Sequence, residues 1–291
     1  MQAVQAGRLR PLKRIFPIRL RSLLRHDYGG QAWQAILGTV FLFCAAARAA
    51  ELPFPLNERL DYRISWNGIP VAWSVATTGM VETNGMNYVS LRVETQTYPV
   101  FDVFYRVNDL HECLLDPKTL QPVRFEKNMK EGLSHYHDVT TFDYAKGAAR
   151  FENLETGTVT NVPISADTRD YLSFMYFMRG QELKPKTTTT YHVLADDRVY
   201  DVLVNSENIE DIGLSNYPDV PSLRIEPEAA FNGLFVRSGK ATLWVSRDMR
   251  RVLTGVKAWV PFGRITVKLY DVSGEGNDFW IREKQSGHGE N

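Results

Sequence analysis

Cysteine is nearly absent from this chain of 291 residues, which holds only Cys44 and Cys113. Cys44 lies in a segment that reads as a removable leader, so Cys113 is left alone. No internal disulfide is expected, and stability must come from a packed core. The sequence beyond residue 49 has no phosphate-cradling glycine loop, no paired Cys-x-x-Cys and no calcium-loop pattern. Ser173 has no Gly-x-Ser-x-Gly elbow around it, so no nucleophile signature is present. No apolar run reaches the about 20 residues needed to span a bilayer as a helix. The run from Trp33 to Ala47 is shorter and ends in small residues rather than in a basic cluster.

The first fifty residues form a three-part pattern. Seven basic residues from Arg8 to Arg25 precede the apolar run, which closes on Ala47-Arg48-Ala49 with alanine at −3 and −1 of a cut after Ala49. This predicts an export signal over 1–49 and a periplasmic location for the processed chain. Lipidation at Cys44 would want a small residue where Phe43 stands. Residues 1–49 carry eight basic residues and one acid, so a net charge of zero for the whole chain becomes −7 for the remainder. An acidic chain lacks the footprint of a nucleic-acid binder. No membrane span is expected after cleavage.

Alternation of period two dominates the rest. Val89, Leu91 and Val93 alternate with Ser90, Arg92 and Glu94, and Ile265, Val267 and Leu269 alternate with Arg264, Thr266 and Lys268. Each segment therefore has one apolar and one polar face, as in antiparallel sheet wetted on one side. Asn67-Gly68 and Asn84-Gly85 suit two-residue hairpins that need positive φ. The expected fold is mainly β, an antiparallel meander of about a dozen strands forming a barrel-like or strongly curved sheet. One segment departs from this period. Tyr171, Leu172, Phe174, Met175, Phe177 and Met178 recur at helical spacing, predicting one buried helix over about 167–179, capped by Asp167 or Thr168. The organisation expected is a single β-rich domain over 50–272, two sheet halves joined by that helix, and a flexible tail over 273–291.

Candidate sites are few. Tyr98, Phe101, Phe104 and Tyr105 form a dense aromatic stretch that would line an apolar groove, with Arg106 to fix a head group, or else pack as core. His135 and His137, at i and i+2, would share one face of a strand and offer two metal ligands, but a catalytic zinc wants a third, from His111 or His192. Asp102, Asp109 and Asp116 invite a carboxylate-pair reading, yet Asp109 and Asp116 read as turn residues. Asp167, Arg169, Asp170 and Arg179 read as helix caps and dipole partners. Cys113 reads as a small packed residue. No cofactor is expected.

Several segments together resemble a known family. They are Leu60 to Gly68, Phe101 to Arg106 with Leu115 to Pro122, Asp170 to Phe174, Leu243 to Asp248 with Arg251, and Phe262 to Ile265. Over about 55 to 272 the chain resembles the bacterial exported family known as domain of unknown function 3108. The resemblance implies an antiparallel, barrel-like fold in the cell envelope, similar to that of small exported proteins associated with surface polysaccharide. It implies no activity and no catalytic residues. From the export signal, the strand alternation, the aromatic stretch and the missing catalytic motifs, the function expected is non-catalytic, the binding of a lipid, a glycolipid or another apolar or amphipathic envelope component, or of an envelope-assembly protein. Two alternatives stay open: a metal-dependent hydrolase using His135 and His137, and an interaction module acting through a sheet edge.

Overall fold

The computed structural model describes residues 52–228, 241–260 and 263–274. The leader over 1–49 and the tail beyond Gly274 lie outside the described residues. Within them, fifteen strands form one sheet. The first half comprises β1 (Arg59–Trp66), β2 (Ile69–Thr83), β3 (Met86–Thr97), β4 (Val107–Leu115), β5 (Pro122–Glu131), β6 (Ser134–Asp143), β7 (Ala148–Asn153) and β8 (Thr158–Pro163). The second comprises β9 (Arg169–Asp170), β10 (Thr187–Ala195), β11 (Arg198–Ile212), β12 (Val220–Glu228), β13 (Ala241–Ser246), β14 (Leu253–Val260) and β15 (Gly263–Ser273).

The strand order is β8 through β1, then β15 back through β9. The chain thus walks outward from β1 to one edge, crosses to the opposite edge, and returns until β15 pairs with β1. Ser273, expected in the tail, still pairs with Arg59. All pairings are antiparallel except that of β9 with β10. Among the described residues the sheet is not closed, since β8 and the β9–β10 edge are not hydrogen-bonded to each other. Asn67 and Gly68 take φ of 48° and 90°, and Asn84 and Gly85 take 53° and 73°, so both pairs are the mirror-image turns their sequence suits.

The expected helix is shorter than its periodicity suggested. Residues 169–170 are extended as β9, and α2 runs over Tyr171–Met178. Its cap is Asp170, which accepts from the backbone N–H groups of Leu172 and Ser173 at 2.9 Å each. Asp167 instead meets His192 at 2.8 Å, and the Thr168 hydroxyl bonds to Ser165. A second, single-turn helix that the sequence reading missed, α1 (Pro99–Asp102), follows β3.

Helix α2 fills the space between the two halves. Leu172 and Tyr176, one turn apart, pack with Leu91, Cys113 and Phe125 of the first half. Phe174 and Met178, the next such pair, pack with Val202, Leu223 and Leu243 of the second. Arg179 is more than a helix-dipole partner. Its guanidinium meets the carboxylate of Glu58 at 2.5 and 2.8 Å, with both side chains buried, and also donates to the carbonyl of Arg250. Arg169 lies over the Phe177 ring at 4.2 Å and donates to the carbonyl of Leu120. Of the four charges read as caps or dipole partners, Asp170 is the N-cap and Arg179 stands at the C-cap, while Asp167 and Arg169 are engaged elsewhere.

Candidate functional site

Because neighbouring strands alternate in direction, the connections β1–β2, β3–β4, β5–β6, β7–β8 and β10–β11 lie at one end of the sheet, as do the end of β14 and the start of β15. The aromatic stretch is the β3–β4 connection at this end. Pro99 starts α1, and the N–H groups of Phe104 and Tyr105 donate to the carbonyl of Phe101. That turn lifts the following side chains out of the plane of the strands. Phe104 is 83% exposed and Tyr105 55%, with Val100 and Val103 exposed beside them. Tyr98 and Phe101 are half-buried. The stretch is therefore a projecting strap at the rim, neither a groove wall nor core. The Tyr105 ring lies against Gly132, where a Cβ would come within 2.8 Å of it, so glycine allows the close approach. Asp102 accepts from the Thr97 hydroxyl, and Arg106 stands 3.9 Å from Asp102 with its side chain 66% exposed.

Beneath the strap, the face of the first half that looks towards α2 turns from apolar to ionisable. Leu115 and Cys113 are followed on the same face of β4 by His111 and Asp109. Asp109 is in mid-strand, not in a turn, and it accepts from the N–H of Lys130 at 3.0 Å. Burial and then the charge of Glu131 push its carboxyl up to about 7. Burial also raises Glu131. His111 packs edge-on to Tyr171 at 5.6 Å, and burial followed by the Lys127 charge pushes its imidazole down to about 4. Lys127 bridges the two halves, meeting Asp138 at 2.9 Å and Asp196 of the β10–β11 turn at 2.6 Å. Burial opposes its charge, but Asp196 and Asp138 outweigh that and hold it above the ordinary lysine value.

A cavity of about 10 Å³ lies among Phe125, Lys127, Asp138, Tyr171, Leu194 and Asp196. It has room for about one water molecule. His111 Nε2 and Asp138 Oδ1 are buried there or nearby without a hydrogen-bond partner among the described residues. Sequence reasoning missed this lining. The signal was present in the period of β4, which puts Asp109 and His111 on the face of Cys113 and Leu115.

His135 and His137 do share a face, with ring centroids 6.3 Å apart. It is the opposite face from Asp138, Thr140 and Phe142, which are buried. His135 meets Glu155 at 3.1 Å and Asn128 at 3.0 Å, and His137 meets Glu126 at 2.7 Å. His111 faces α2 from the other side of the sheet, and His192 is held at Asp167. The proposed third ligands are thus not brought to the pair. Among the described residues no group of three His, Cys, Asp or Glu is placed to hold a metal ion. Asp116 is a turn residue that accepts from the N–H groups of Lys118 and Thr119. Cys113 is fully buried, its thiol donating to Asp170 at 3.1 Å.

The open edges are the remaining feature. Thr187 to Thr190 of β10 pair with β11 on one side, are exposed, and lie outside the short β9 pairing on the other. No helix of the described residues is long and apolar enough to cross a membrane.

No curated protein matches the chain. A crystal structure described as a beta-barrel-like protein of domain of unknown function DUF1849, from Brucella abortus, matches 77% of this chain and 99% of its own with a TM-score of 0.50 at 8% identity. That likeness concerns the fold alone. The family described as "Protein of unknown function (DUF3108)" matches over residues 61–270, which span β1 to β15, the strap and α2. This chain belongs to the DUF3108 family.

Proposed function

We propose that the chain is an exported cell-envelope protein that acts by binding rather than catalysis, and that its ligand is an amphipathic envelope molecule, a lipid or a glycolipid. The observation that carries this reading is the strap itself. Large apolar side chains stand in solvent at the rim, next to a face lined by Asp109, His111, Lys127 and Glu131. Exposed apolar surface costs free energy unless it has a partner, and polar groups alongside it suit a ligand with one apolar and one polar end. Arg106, weakly engaged by Asp102, is available to a head group. The leader pattern over 1–49 supplies the compartment.

The test is organic extraction of native protein from an envelope fraction, read by mass spectrometry beside an unrelated control. The expected outcome is an enriched lipid or glycolipid that Phe104→Asp no longer retains while its unfolding stays cooperative. The recovered chain is expected to begin at Ala50 or within a residue or two. No enrichment in the parent chain rejects the reading.

A second reading has its own observation. The exposed edge Thr187 to Thr190 offers unpaired backbone groups for strand addition by an assembly protein. Thr189→Pro would abolish such pairing and leave lipid retention intact.

A further inference from the structure

The exposed large hydrophobic side chains are not scattered. Apart from Met80, Met86, Ile209 and Met249, all of them lie at the end of the sheet that bears the strap. Trp66 and Ile69 flank the β1–β2 turn, Trp259 is near the end of β14, and Leu133 is the fully exposed tip of the β5–β6 turn. The opposite end carries Asp116, Lys118, Asp143 and Lys146 in its turns, with Met86 and Met249 as its exposed apolar side chains.

These tips are tied to one another. Asn67 bonds to Arg264 through its N–H and its side-chain oxygen, both at 2.9 Å. Tyr98 N–H donates to Val71, and Gly132 N–H donates to the carbonyl of Arg106 at 2.8 Å. The turn backbones are therefore partly satisfied from within, as a medium poor in water requires. Around the strap the charges left without a close partner are positive, while the β10–β11 turn at the same end carries Asp196 and Asp197, which meet Lys127 and Arg198. Arg106 approaches a carboxylate no closer than 3.9 Å, exposed Lys130 has no ion-pair partner among the described residues, and Arg264 lies 5.8 Å from the Trp259 ring. The acids nearby are engaged: Asp102 with Thr97, Glu155 with His135, and Glu131 beside Asp109.

We infer that this end of the sheet docks on a lipid surface bearing anionic head groups, with Val103, Phe104 and Leu133 as the inserted tips and Arg106, Lys130 and Arg264 at the head-group level. Separate tips on tied turns suit a fluid surface, which accommodates each one independently, better than a protein partner, which would have to be shaped to all of them. Tyrosine and tryptophan set around aliphatic tips are the residues that favour the boundary between water and lipid. The three cations match the opposite charge of the head groups, each contributing about a fivefold preference for anionic lipid. The inference rests on the reading of the strap as a surface for apolar ligand, and it names the partner as a surface rather than a single retained molecule.

The experiment places a reporter at each end of the full chain. Phe104→Trp and Met249→Trp are compared with the parent as vesicles of phosphatidylglycerol with brominated acyl chains are added. A blue shift and quenching beyond those that Trp66 and Trp259 give in the parent are expected for Phe104→Trp, and no more than the parent's response for Met249→Trp. Unchanged emission from Phe104→Trp overturns the inference, as does equal quenching at both ends, which assigns attachment to another part of the chain. Dimerisation on sizing that shields Phe104→Trp from bromine assigns the tips to a second copy and also overturns it. Replacing Arg106, Lys130 and Arg264 together by Gln is expected to weaken binding to phosphatidylglycerol vesicles roughly a hundredfold and to leave phosphatidylcholine binding unchanged. Equal affinity of the triple variant and the parent removes the anionic requirement. Quenching with nothing extracted from native protein leaves the surface standing and removes the retained ligand; extraction without quenching does the reverse.

Discussion

Asp109 and His111 stand two residues apart on β4 and answer burial in opposite senses. Folded, Asp109 takes its proton near pH 7, against 3.8 for the free group, so the native state binds more protons over that window and stability falls as pH rises through it. His111 loses its proton near pH 4 when folded, against 6.5 free, so the native state binds fewer protons there and stability rises from about 4 to 6.5. The two slopes offset each other in the parent chain. Relative to the parent, His111→Gln is expected to lose stability as pH rises from about 4 to 6.5, and Asp109→Asn to gain it, since Asn still accepts from Lys130. Urea midpoints measured across that range check this, and pH profiles parallel to the parent's would count against it. Sequence singled out both residues in other roles, His111 as a third metal ligand and Asp109 as a carboxylate at a turn, and did not bring them together on one buried face. An acid and an imidazole break the apolar face of a strand, and such a break resembles a loop until α2 and Lys127 are seen to cover it.

At the scale of elements, α2 shows how much of the fold local signals carry. Its apolar spacing was legible, and so was its burial. Its start was not, because Asp167, Thr168 and Asp170 are all acceptable caps, and pairing of Arg169 and Asp170 with β10 is a tertiary event. Eight residues are too few for a helix stable alone in water, so packing holds it. Phe174→Ala is expected to cost about 3–5 kcal/mol in denaturant unfolding, the range for a buried phenylalanine. A loss below about 1 kcal/mol would mean that the second half of the sheet does not depend on this side chain. Asp170→Ala removes the cap and also strands Ser173 and the Cys113 thiol, so its cost is expected to exceed the about 1 kcal/mol typical of a surface cap. The strap was misjudged for a related reason. Its aromatic density was plain in the sequence, but the direction of its side chains depends on the turn that Pro99 begins and on the bare surface of Gly132.

For the whole molecule, period two and the turn pairs made the antiparallel sheet legible, while the strand order was not. Nothing in β1 or β15 alone announces that the first strand pairs with the last, because each presents the same alternating pattern as its neighbours. That seam runs from Arg59 opposite Ser273 to Trp66 opposite Ile265. Ending the chain at residue 262 removes β15, bares the inner edges of both β1 and β14, and uncovers Leu60, Tyr62 and Val252. The truncated protein is expected to aggregate and to lose its cooperative unfolding transition, as judged by sedimentation and denaturant titration. A soluble, cooperatively unfolding product would show that the remaining strands form a core without the seam.

The same pairing has a mechanical side. Arg59 and Ser273 are direct partners at one end of adjacent antiparallel strands, so tension applied through the two ends of the domain pulls across the first rung of the seam. The hydrogen bonds of β1 and β15 then carry the load one after another, like the teeth of a zip, instead of sharing it in shear. The domain should yield to a pull on its own ends at a far lower force than to one applied along its strands.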